Sequence, residues 1–273
     1  MKTIIVAMDY SIEAKNAMNY AAAAAAEQNF DLVLFNLYHV SIHALNARVP
    51  AASFYEMYRD EKDKLARTAS QLASAYGIEV STYIATGEMI AELQKCYEIH
   101  HGELIVMGMR EKSLEQDLMG NTTTAAIHHL KFPVIAIPAT VKYHGIKKVL
   151  FACDLARGVH SKVLEQVKEL ASNLNSEVEV FHVNSVINTL TTNDKVSKHA
   201  QEVDNALNGI QYYYKNVESD EIIGSINREI KEYGADLLIM VPYRYGFWGS
   251  LVHRSKTRIM ASGNNIPLLS IPL

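Results

Sequence analysis

The residues most able to do chemistry lie in one stretch, Ile105 to Thr124, IVMGMREKSLEQDLMGNTTT. An apolar run ends at Gly108, a charged loop follows, and Gly120 opens a hydroxyl-rich segment, Asn121, Thr122 and Thr123. This is the pattern of a strand-to-helix crossing that accepts an anion. Glycines allow close backbone approach, and free N–H groups at a helix start, joined by hydroxyls, face negative charge. Asp9 adds a carboxylate at the end of the first apolar run, TIIVAMD. It is either a helix cap or a ligand contact. Other sets of reactive residues do not assemble into a site. His100/His101 and His128/His129 are adjacent pairs, without the i, i+4 spacing that lets two imidazoles share a metal from one helix face. Cys96 and Cys153 have neither metal-ligand nor redox-pair spacing and read as small buried apolar residues of a reducing compartment.

The elements that must position these residues alternate. Short β-branched runs at 3–9, 30–40, 78–86, 103–107 and 132–138 read as strands, and the segments between them as helices, one of them rich in alanine from Ala21 to Ala26. Strands alternating with helices imply parallel pairing through right-handed crossovers. The pattern then repeats. KKVLFACDLA at 147–156 places Asp154 where Asp9 stands, FHV at 181–183 matches YHV at 38–40, ADLLIMVP matches GELIVMGM, and IPLLSIP at 266–272 matches FPVIAIP at 132–138. The expected organisation is a tandem repeat of two doubly wound α/β domains, residues 1–139 and 146–273, joined by ATVKYHGI.

A strand ending in Asp, a second strand ending in HV, and a glycine-bearing loop after strand four closed by a PVxxxP strand together resemble the universal stress protein family. The resemblance covers nearly the whole chain and implies, for each half, a five-stranded parallel sheet of order 3-2-1-4-5. Many members bind ATP through a loop written G-x-x-G, a spacer, then G-[ST]. Gly108 matches its first glycine and Gly120 its third. The spacing is one residue short, Glu111 stands closest to the second glycine, and Asn121 replaces Ser or Thr. By resemblance Asp9 contacts adenine or ribose, Val40 packs on adenine, Met107, Gly108 and Met109 line the base and ribose side, and Gly120, Asn121, Thr122 and Thr123 receive the phosphates, with Mg²⁺ accompanying ATP. The second half reads MVPYRYGFWGSLVHRSKT at the corresponding loop. Pro242 removes a donor there, so nucleotide binding is expected in the first half alone. Family dimers often pair through the fifth strand, which makes Phe132–Pro138 and Ile266–Pro272 the expected edges of an intramolecular pseudo-dimer, with further homo-oligomers open.

Composition narrows the partners. A net charge of −4 over 273 residues gives no global attraction to nucleic acid or to acidic membrane. The interleaved basic and aromatic run 243–258 reads as a cationic helix start packed on its neighbour in preference to a nucleic-acid surface. No apolar run approaches the ~20 residues that cross a bilayer. The expected protein is a cytoplasmic stress-response protein with a regulatory or protective role. A nucleotide-free interaction scaffold and a slow Mg²⁺-dependent ATPase are the alternatives.

Overall fold

The computed structural model describes residues 2–38, 51–109, 121–184, 189–242 and 266–273. The chain divides into two compact units. The first is Met1–Met109 with Val134–Tyr143, and the second is Arg110–Pro133 with His144–Leu273.

In the first unit β1 (Thr3–Ala7), β2 (Asp31–Leu37), β3 (Val80–Ala85), β4 (Gly102–Met109) and β5 (Val134–Pro138) are ordered β3-β2-β1-β4-β5, with every pair parallel. The β1, β2 and β5 side chains are buried almost throughout, which is why these strands read as unbroken apolar runs and not as alternating ones. Helix α1 (Ile12–Gln28) starts at Ser11, whose Oγ accepts the Ala14 N–H at 3.1 Å, and ends at Asn29 in a left-handed turn, φ 55°. Its buried alanines keep it thin enough to lie directly on β4 and β5. Helix α2 spans Ala51–Tyr76, and α3 spans Met89–Ile99 with the Glu88 carboxylate accepting the Ile90 and Ala91 N–H groups. Asn16, buried on α1, donates through Nδ2 to the carbonyls of Pro138 (2.9 Å) and Val141 (2.8 Å) and accepts from Lys142 Nζ at 2.6 Å. The chain leaving β5 is thereby fastened to α1.

The second unit holds α4 (Asn121–His129), β6 (Lys148–Ala152), α5 (Ser161–Leu174), β7 (Glu177–Asn184), α6 (Thr189–Leu207), β8 (Tyr212–Glu218), α7 (Ile222–Glu229), β9 (Leu237–Met240) and β10 (Leu268–Ser270). Its strand order is β8-β7-β6-β9-β10, again all parallel, so each unit carries a five-stranded doubly wound sheet of order 3-2-1-4-5. Helix α5 ends at Asn175 in the same left-handed turn, φ 49°, that Asn29 makes after α1. Helix α7 runs straight into a π turn, Ile230–Gly234.

Strand register corrects one match made on sequence. Ala7 pairs with Phe35 and Ala152 with Phe181, and the Met8 and Cys153 N–H groups donate to the carbonyls of Phe35 and Phe181. His182 therefore stands at the place of Asn36, three residues before His39, and the matching HV pairs are not equivalent positions. Strands buried on both faces have no polar alternation to fix their register in sequence, so a shared dipeptide misleads.

Candidate functional site

In a doubly wound sheet the place for a ligand is outside the carboxyl ends of the strands, where the strand order reverses. In the first unit that is the end of β1, between β2 and β4. Asp9 stands there, two residues past β1 and exposed. Its Oδ1 accepts the Ser11 N–H at 2.9 Å and the Ser11 O–H at 2.5 Å. Ser11 in turn caps α1. The aspartate thus holds the cap in place without being the cap, which corrects the capping reading made on sequence. Tyr10 between them takes a left-handed φ of 62°, an uncommon conformation for a bulky residue that lets the turn close in so few residues.

Gly108, near the end of β4, lies against the start of α1. A Cβ on Gly108 would stand 2.5 Å from the Glu13 carbonyl carbon, 2.6 Å from its oxygen and 2.7 Å from the Ala14 nitrogen. The glycine is required by the helix backbone itself. Met107 and Met109 flank it and are buried. On the other side of β1, Asn36 is buried in β2 and donates from Nδ2 to the Met8 carbonyl at 2.7 Å, fixing the backbone just before Asp9. Sequence reasoning passed over Asn36; the available signal was a single amide inside the apolar run FDLVLFNL.

Helix α2 borders the same strand ends. Lys64 Nζ sits 3.4 Å from the centroid of the Tyr10 ring, and Tyr58 meets Tyr38 edge to face at 5.7 Å just past β2. Burial, with the Glu61 carboxylate second, pushes the Tyr10 hydroxyl pKa up. Along this helix a cavity of about 360 Å³ is lined by Tyr55, Glu56, Tyr58, Arg59 and Lys62. Rings and guanidinium or ammonium groups side by side suit a flat, anionic molecule.

Val40 and Gly120 lie outside the described residues, as do the loop 110–119 and the basic run 243–258. Asn121 opens α4, which belongs to the second compact unit; Thr122 there is exposed, and Thr123 and Thr124 are buried. Cys96 and Cys153 are free, buried thiols, burial pushing the first up to about 12 and the second upward as well, so neither is a thiolate at neutral pH. Among the described residues no cluster of His, Cys, Asp and Glu could hold a metal, and no helix is long and apolar enough to cross a membrane.

The second unit treats its own aspartate differently. Asp154 Oδ2 pairs with Arg157 Nε at 3.3 Å, and its Oδ1 accepts the Ala156 N–H at 3.1 Å. The β6-to-α5 turn is longer than the β1-to-α1 turn and folds back on itself through Arg157 N–H to Asp154 O and Gly158 N–H to Leu155 O. His182 props this turn, with Nδ1 accepting the Leu155 N–H at 3.2 Å and Nε2 lying 2.6 Å from Asn184 Oδ1.

A family model described as the universal stress protein family matches residues 1–138. The chain belongs to the universal stress protein family. This universal stress protein is 25% identical over 141 residues to Universal stress protein MJ0531 of Methanocaldococcus jannaschii, a match that covers 50% of this chain and 81% of the relative. Its fold is similar from end to end to a universal stress protein of Archaeoglobus fulgidus, with a TM-score of 0.76 at 17% identity and coverage of 99% of this chain and 98% of that one. A putative universal stress protein of Pseudomonas aeruginosa has a TM-score of 0.63 at 14% identity, with coverage of 100% and 93%. At such identities the likeness is one of fold, and it extends over both repeats.

Proposed function

We propose that this universal stress protein binds an adenine nucleotide, ATP with Mg²⁺ as counter-charge, at the carboxyl ends of β1, β2 and β4 in its first unit, and acts in the cytoplasm in a regulatory or protective role. The observation that carries the reading is the contrast between the two aspartates. Asp9 is exposed at the reversal point of its sheet, while Asp154 is paired with an arginine from its own turn. An exposed carboxylate beside a helix start can accept from ribose hydroxyls or the adenine amino group. Ile12, 78% exposed in the first turn of α1, offers apolar surface next to it, and Arg59 and Lys62 offer positive charge along α2. In the second unit Arg157 occupies the carboxylate that a ribose would need.

Calorimetric titration of the whole chain with ATP, with and without Mg²⁺, tests this. The expected result is one nucleotide per chain, weakened about tenfold or more by Asp9→Asn, a loss on the order of 1.4 kcal/mol. Absence of binding would overturn it and favour the interaction scaffold, and two equal sites per chain would overturn the assignment to the first unit alone. Phosphate release measured alongside separates a binder from a slow ATPase.

A further inference from the structure

Two carboxyl groups are buried together in the second unit. Glu179 in β7 and Glu229 at the end of α7 are 3% and 4% exposed. Glu179 is in register with Tyr213 and shares its sheet face with Lys215, which reaches Glu229, so both acids stand over one face; two carboxylates offer only acceptors, and a bond between them needs a proton on one. Glu229 Oε2 is also 2.5 Å from Lys215 Nζ of β8, and the same ammonium reaches Glu232 Oε2 at 3.2 Å. Glu179 Oε1 is buried with no hydrogen-bond partner. One lysine thus faces two buried acids, and its charge is already committed to Glu229 and to Glu232.

We infer that the Glu179–Glu229 pair is a proton-operated clasp, holding α7 and its π turn on β7 and β8 when Glu179 is protonated and loosening them when it ionises. The surroundings set the direction. From β7 Glu177 adds a further negative charge; from β8 come the Tyr213 ring and Lys215; from the π turn come Glu232 and Tyr233, the latter stacked edge to face on Tyr213 at 5.7 Å and donating from its hydroxyl to the Glu177 carbonyl at 3.2 Å. Lys148 of β6 lies 3.8 Å from Glu177 Oε1 and donates to the Tyr233 carbonyl, at the far side of that carboxylate. Negative groups outnumber the positive ones that reach the pair, so a second buried charge meets repulsion from Glu229 and an uncompensated loss of hydration. Burial first, and the neighbouring Glu229 second, push Glu179 up to about 7, which puts the ionisation inside the physiological range. The π turn begins immediately after Glu229, at Ile230, so the clasp sits where the α-helical hydrogen-bond pattern ends.

Hydrogen exchange of the full chain between pH 5.5 and 8.5, corrected for the intrinsic pH dependence of exchange, reads the clasp directly. Amides of residues 226–234 are expected to lose about tenfold or more in protection across that range, while those of β6 and β9 hold theirs. Glu179→Gln, which keeps a donor to Glu229, should abolish the pH dependence. Equal protection at both ends, or the same pH dependence in Glu179→Gln, would overturn the inference. Carboxyl ¹³C titration of the wild-type protein decides independently of whether the variant folds: a midpoint for Glu179 at its ordinary value near 4.5 sinks the proposal, and one near 7 sustains it.

Discussion

Gly108 of β4 and Glu13 of α1 touch backbone to backbone, with no room between them for a methyl group: an ideal Cβ on the glycine would stand 2.6 Å from the Glu13 carbonyl oxygen. No rotation of a side chain relieves that contact, because the obstructing atoms are main chain. Gly108→Ala should therefore destabilise the first unit by about 1–3 kcal/mol, as overpacking does in a dense core. Calorimetry reads this without any ligand. An unchanged melting temperature would show that the glycine is needed for something other than the helix.

Asp9 and Ser11 separate stability from recognition. Ser11→Ala removes the acceptor for the Ala14 N–H and should cost about 1 kcal/mol. Asp9→Asn retains an oxygen for both Ser11 donors, so its melting temperature should stay close to wild type while nucleotide affinity falls. If the two variants lose stability alike and ATP binding is unaffected by Asp9→Asn, the aspartate is structural alone.

Asn16→Ala should be the costliest of the surface-adjacent changes. It leaves the Pro138 and Val141 carbonyls and the Lys142 ammonium without the amide that joins them, and buried polar groups left unpaired cost about 1–3 kcal/mol. The expected signature is a lower urea midpoint together with faster proteolysis between Pro138 and Tyr143. Wild-type resistance there would mean that the segment is held by other contacts.

Glu179 makes stability depend on pH in a definite direction. Its pKa is raised in the folded protein, from an ordinary 4.5 to about 7, so the folded state binds the proton more tightly than the unfolded chain does. The associated stability is fully present below about pH 4.5 and is lost as pH rises through 7. Measured against Glu179→Gln, which has no such group, the wild-type urea midpoint should fall between pH 5 and pH 8. A difference that stays constant over that interval contradicts the assignment.

Much of the architecture was legible because buried parallel strands are written as uninterrupted apolar runs and because the pattern occurs twice. The helix ending at Tyr76, the strand following Glu103 and the aspartates at 9 and 154 all emerged from composition and repetition. Register did not, since a strand such as FDLVLFNL carries no alternation to show which residue faces which. The reason for Gly108 was also hidden: sequence says that something approaches its Cα, and only the packing says that it is α1. Buried polar residues were the larger omission. Asn16, Asn36, Glu179 and Glu229 read in sequence as ordinary hydrophilic positions, and their partners lie tens of residues away. The two readings of Asp9 could not be separated at that level, because capping a turn and meeting a ligand call for the same oxygen. Tyr212 and Tyr214 both donate to Asp204 while Tyr213 turns to Tyr233, as alternate faces of a strand demand.

The longer turn after β6 bears on how the two repeats can drift apart. Under the proposed function, an aspartate open to solvent ties its repeat to the supply of a solute, and substitutions around it are judged by that solute. An aspartate neutralised from its own chain, as Asp154 is by Arg157, has no such tie. Under that proposal, changes in the second turn are answerable to folding, whereas the first must satisfy folding and a cargo at once. On the proposed function the same sheet is therefore held to two standards, strict at the first turn and permissive at the second.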